Sequence, residues 1–160
     1  METQKQAKAE QFIAQMLVLA KEGLKEITLH SAYGYLTLYD DSEANKGVVA
    51  VVQVNSCPSD KAELHMKLSI ERARRLCRNK HCLSSHGTCS DPVELRLGAV
   101  RTNIGILSFD GFAGDKKSEA LAVYVAVKGG IMSGNIAASI AHASSNDNIK
   151  ANFFGPTATA

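Results

Sequence analysis

Cys77, His81, Cys82, His86 and Cys89 fall within 13 positions, with Cys57 and His65 upstream, so all four cysteines of the chain lie between residues 57 and 89. Thiolate and imidazole are the ligands zinc favours, and a structural site takes four of them in a tetrahedron. Cys77 and His81, four residues apart, would share one face of a helix. A loop carrying Cys82, His86 and Cys89 can then fold back to complete a ligand set. The spacing lacks the C-x2-C knuckle of the common zinc modules. Two other outcomes fit the same residues: free thiols with surface histidines, and a disulfide closing the loop, for instance between Cys82 and Cys89. No cofactor is required for folding at this chain length, and zinc is the metal these ligands suit.

The same segment is basic. Lys67, Arg72, Arg74, Arg75, Arg78 and Lys80 cluster toward the end of one helical stretch. Guanidinium forks suit phosphate, carboxylate and nucleic acid. Base stacking needs aromatic side chains, however, and no Phe, Tyr or Trp lies between Tyr39 and Phe109. With Glu63 and Glu71 interleaved, the residues equally describe a solvated helix face with i, i+4 ion pairs. The charge is uneven along the chain: residues 1–60 carry net −3, residues 61–101 net +5, and residues 102–160 net zero, for a total of +2.

A second candidate is the glycine-rich turn from Val127 to Asn135. Its ligand-binding residues would be Lys128, Gly129, Gly130, Ser133, Gly134 and Asn135. Glycines between a strand and a helix let backbone approach a ligand, and free N–H groups at a helix start attract anions. The lysine precedes the glycines, so this is neither a P-loop nor a dinucleotide fingerprint. The plain alternative is a turn with Ser133 as N-cap. The segment 110–115 places two aspartates around two glycines but lacks the ligand number of a calcium loop. Ser108, Asp110 and His142 have the residue types of a hydrolytic triad without a nucleophile elbow around the serine, and no catalytic residue is assigned. His30 reads as a surface or satisfied histidine.

The elements that must position these residues follow from periodicity. Phe12, Ile13, Met16, Leu17, Ala20 and Leu24 recur at helical spacing within Gln4–Lys25, and Gly23 marks a fraying end. Residues 27–39 alternate around a Tyr33-Gly34 turn signal, as in a hairpin or one long bent strand. Val48–Val54 is a nearly continuous β-branched run and reads as a buried strand. Ser59 or Asp60 caps a helix over Lys61 to about Lys80, with Leu64, Leu68, Ala73 and Leu76 inward. Glu94–Arg101 and Asn103–Asp110 pair across a tight turn. Residues 119–127 combine Ala120, Leu121 and Ala122 with Val123, Tyr124, Val125 and Val127, and are expected as a strand. Ile131–Ala143 is a small-residue helix.

This predicts one α+β domain over residues 1–145, with 146–160 a partly flexible C-terminal tail. Its sheet is mainly antiparallel and five-stranded, with helices packed on it, in the order α-β-β-α-β-β-β-α. In element order alone, with no shared residue motif, this resembles the profilin and roadblock group of small α+β domains.

At 160 residues, with 45% apolar and 21% charged residues, the chain suits one globular domain and not a disordered, collagen-like or coiled-coil protein. The N-terminal apolar run is interrupted by Gln15 and preceded by Glu2 and Glu10, unlike a secretory signal. No run approaches the length of a membrane span, so a cytoplasmic protein without membrane partners is expected. Three functions fit. The first is a binding or regulatory module that engages a protein partner or itself, as a homo-oligomer. The second is a metal-stabilised basic module contacting nucleic acid or an acidic partner through residues 57–89. The third is a small enzyme or sensor holding an anionic metabolite at residues 128–135.

Overall fold

The computed structural model describes residues 2–27, 32–85, 98–111, 115–150 and 153. In chain order the elements are α1 (Glu2–Ile27), β1 (Gly34–Asp40), β2 (Gly47–Val54), α2 (Ser59–Arg78), β3 (Ala99–Thr102), β4 (Gly105–Gly111), α3 (Asp115–Lys128) and α4 (Gly134–Ala143). The strands form one sheet in the order β2-β1-β4-β3, every neighbouring pair antiparallel. Among the described residues the sheet therefore has four strands, not the five expected.

Two side-chain sets alternate along β1. Leu36 and Leu38 sit opposite Phe109 and Leu107 of β4, and all four join the main core beneath α1 and α3. Tyr39, opposite Ile106, points to the other face, where Ala73, Leu76 and Cys77 of α2 form a second, smaller core with Ala99. Helices thus cover both faces. The amphipathic period of α1 supplies Phe12, Met16, Ala20 and Leu24 to the main core.

Residues 119–127 belong to α3 and not to a strand. Every residue from Ser118 to Ala126 is buried. A segment enclosed on all sides shows neither a period of 2 nor one of 3.6, and its valines suit either state once packing decides. Here packing decides for a helix wedged against α1, β3 and β4. Beyond α4, Ile149 and Phe153 are buried in the same core, and the Phe153 ring meets Tyr124 edge-on at 5.0 Å.

Three boundaries also differ from expectation. Gly23 does not fray α1, which continues to Ile27. A Cβ at position 23 would stand 2.6 Å from Leu121 Cδ1 and 2.7 Å from Tyr124 Cδ1, so glycine is required for the close approach of α1 to α3. Ile27 is consequently helical, and the regular strand begins only at Gly34. α2 starts at Ser59 with Pro58 as its N-cap, whose carbonyl accepts from Lys61 N and Ala62 N at 2.9 and 3.0 Å.

Candidate functional site

The cysteine and histidine residues of the basic segment separate by environment. Cys77 is buried in the smaller core and Cys82 packs against it, whereas His81 is exposed. Cys57, Cys77 and Cys82 are free thiols. Burial, with the nearby Asp60 carboxylate second, pushes the Cys57 thiol above its ordinary value. Among the described residues no three His, Cys, Asp or Glu side chains converge to hold a metal ion. His86 and Cys89 lie outside the described residues, as does His30.

The basic residues do not form one face. Arg72 is sealed inside, its side chain 3% exposed: Nη2 lies 2.9 Å from Asp110 Oδ1 and Nη1 donates to the Phe109 carbonyl at 3.1 Å. Arg75 and Arg78 approach Glu71 at 3.9 and 3.2 Å, and Lys67 pairs with Glu63 at 3.0 Å. Lys80 donates to Glu43 Oε1 at 2.9 Å. That hydrogen bond, joined by the charges of Lys46 and Lys80, holds the Glu43 carboxyl below its usual range, and the same bond with the Glu43 charge holds Lys80 above its own. Arg74 is exposed. Much of the basic charge of this segment is thus paired, with Glu63 and Glu71 of α2, Glu43 of the β1–β2 loop and Asp110 of β4.

A polar seam runs between α2 and the sheet. His65, Ser69 and Arg72 recur at i, i+4 and i+7, one stripe of the helix. His65 Nδ1 lies 2.7 Å from Asp110 Oδ2, and the Tyr33 ring meets the imidazole edge-on at 5.8 Å. Ser69 Oγ is 2.6 Å from Thr37 Oγ1 and donates to the Ser108 carbonyl at 3.3 Å. Asp110 therefore pairs with His65 and Arg72, while His142 is exposed on α4 and Ser108 Oγ is buried without a hydrogen-bond partner among the described residues. A Ser108–Asp110–His142 relay is not assembled. The seam ties helix to sheet; its clue in the sequence was the polar spacing of His65, Ser69 and Arg72 inside an otherwise apolar helix period.

The glycine-rich turn links two helices instead of a strand to a helix. Gly130 takes φ 76°, a conformation that favours glycine, and Gly129 lies against Phe12. Ser133 is the N-cap of α4 and its Oγ accepts from Ile136 N at 3.2 Å. Lys128 Nζ stands 5.8 Å over the Tyr124 ring.

The surface that sequence reasoning missed is β2, expected to be buried. Its sequence, GVVAVVQV, carries no charge and no proline. Yet Val48 and Val49 are 44% and 45% exposed. The reason is topological: among the described residues β2 pairs with β1 on one side only and is an edge of the sheet. α1 packs on one of its faces, while α2 lies across β1, β4 and β3. A register shift opposite Leu38 and Tyr39 leaves Val49 out of the ladder, and Ala50 to Val54 run on in regular pairing. Leu17 and Val18 of α1 add exposed apolar surface at 37% and 59%. Among the described residues no helix is long and apolar enough to cross a membrane. No family model, curated protein or solved structure matches this chain.

Proposed function

We propose that this chain is a small binding module that associates with a second copy of itself through the open edge of β2. One observation carries the reading: an eight-residue, uncharged, valine-rich strand with its outer backbone row unpaired among the described residues. Sheet edges in soluble proteins are ordinarily guarded by lysine, proline or short length. β2 has none of the three, and its single bulge leaves Ala50–Val54 regular. Antiparallel pairing of two identical strands about a two-fold axis satisfies both backbone rows and brings no like charges together, because the strand has none. Leu17 and Val18 add exposed apolar surface on α1, the helix that packs on β2.

The other two functions draw less support. Glu71 and Glu43 already engage Arg78 and Lys80, which weakens the appeal of the α2 end for an acidic partner or nucleic acid. Ser133 Oγ takes up the Ile136 N–H, one of the helix-start donors an anion would use, which weakens an anion site at the turn.

Sedimentation equilibrium at high micromolar concentration tests the reading. A dimer is expected for the wild-type chain and a monomer of unchanged circular dichroism for Val51→Lys, which sets a charge in the middle of the edge. A wild-type monomer, or a variant that still dimerises, overturns it.

A further inference from the structure

A cavity of about 640 Å³ opens between the first turns of α1 and the end of the sheet where β1 passes into β2. Its size falls within the roughly 300–1,000 Å³ of small-molecule sites. Ala9, Leu38, Val49 and Ile104 supply apolar lining. Val49 is the residue that the register shift leaves out of the β1–β2 ladder, and bulges commonly re-aim a side chain beside a site.

Two opposite charges line the same space. Lys5 enters from α1 and Asp40 from the end of β1, with the amides of Gln6 and Asn45 beside them. The two charges do not pair with each other within 4.0 Å, although opposite charges sharing a pocket ordinarily gain by doing so. Asp40 is held in place from one side: its Oδ1 accepts from Ser42 N at 2.8 Å, and among the described residues its second oxygen has no partner. A ligand complementary to this lining carries a cation for Asp40, an anion for Lys5 and an apolar body for the apolar wall of the same cavity.

We propose that this cavity binds zwitterions of amino-acid to dipeptide size that carry an apolar side chain. The ammonium of the ligand meets Asp40, its carboxylate meets Lys5, and Gln6 and Asn45 take its remaining polar groups. The wall of Leu38, Val49 and Ile104 selects aliphatic over polar side chains, since unpaired polar groups would be stranded there. This site does not depend on self-association through β2, and the Val51→Lys variant, altered outside the cavity lining, should bind equally well.

Isothermal titration calorimetry with leucine and leucyl-leucine tests it, against 4-methylpentanoate, which lacks the ammonium, and 3-methylbutylamine, which lacks the carboxylate. At least one zwitterion should bind about tenfold or more tighter than both singly charged analogues, as expected when each lost charge contact costs over 1 kcal/mol. Lys5→Gln should weaken the zwitterion about tenfold and leave the amine unchanged, and Asp40→Asn, which keeps the acceptor for Ser42 N, should do the reverse with the acid. Absence of binding by both zwitterions at millimolar concentration overturns the proposal. So does equal binding of a singly charged analogue, or wild-type affinity in Lys5→Gln.

Discussion

Arg72 Nη2 of α2 lies 2.9 Å from Asp110 Oδ1 of β4, with the two side chains only 3% and 7% exposed. An ion pair this well sealed gains little over an apolar pair of the same shape, but half of it is costly to leave behind. The second Asp110 oxygen is taken by His65 and the second Arg72 terminal nitrogen by the Phe109 carbonyl, so the pair is embedded in the seam and not isolated.

Asp110→Asn should accordingly cost about 3–5 kcal/mol, because it leaves the Arg72 guanidinium buried without its counter-charge. Adding Arg72→Met to that variant should recover a substantial part of the loss. Urea unfolding of the two single variants and the double variant measures the coupling. Additive costs would mean that the two side chains act independently.

Arg101 ties the C-terminal end of α2 to the sheet. Its Nη2 donates to the carbonyls of Leu76 and Asn79 at 2.8 and 3.1 Å, its Nε to that of Cys82 at 3.1 Å, and its Nη1 meets Asp41 Oδ2 at 2.8 Å. The Leu76 and Asn79 carbonyls also accept from Asn79 N and Cys82 N at 3.0 and 3.1 Å, so the guanidinium reinforces the turns that end α2, and only a planar fork reaches several carbonyls at once. Arg101→Lys should therefore lose about 2 kcal/mol despite keeping the charge. Amide exchange over residues 79–83 should speed up more than exchange in β1. Unchanged protection there would show that the guanidinium is dispensable.

Much of this architecture is legible in the sequence, and the exceptions share a physical cause. α1 is visible because one of its faces is wet and the other dry. α3 is not, since it is dry all round and its valines carry no period. In α2, Leu64 was expected inward and is 56% exposed, while Arg72 was expected on the surface and is buried. The helix period gave the spacing of a stripe but not which stripe meets the sheet. That choice depends on Thr37, Ser108 and Asp110 lying on the facing side of β1 and β4, a fact of strand register. The β-branched run of β2 was correctly a strand, but only the sheet order makes it an edge.

Gly23→Ala offers a contest between two effects of opposite sign. Alanine gains about 1 kcal/mol of helix propensity over glycine. Its methyl group would, however, press into the Leu121 and Tyr124 side chains at 2.6 and 2.7 Å. Overpacking of this kind costs about 1–3 kcal/mol, and more where neighbours are locked by their own packing. Both neighbours are buried in the main core, so net destabilisation is expected. Gln15→Ala on the exposed side of the same helix should be neutral or slightly stabilising. Thermal denaturation of the two variants decides the sign.

Tyr124 gives the fold an alkaline limit. Burial first, with the carboxylates of Glu22 and Glu26 behind it, pushes its phenol above the ordinary tyrosine value. The neutral phenol is the form the folded state favours. Its contribution to stability is therefore complete below the unfolded value of about 10 and is lost as pH rises through the folded value. Tyrosinate absorbance should show a late component on alkaline titration, and Tyr124→Phe should remove it. The phenylalanine keeps the ring that meets Phe153 edge-on, so the variant should stay folded at neutral pH and lose less stability than the wild type between pH values just below and well above 10. A wild-type stability curve that stays flat through that interval, or an identical decline in the variant, would show that the ionisation of Tyr124 is not what limits the fold.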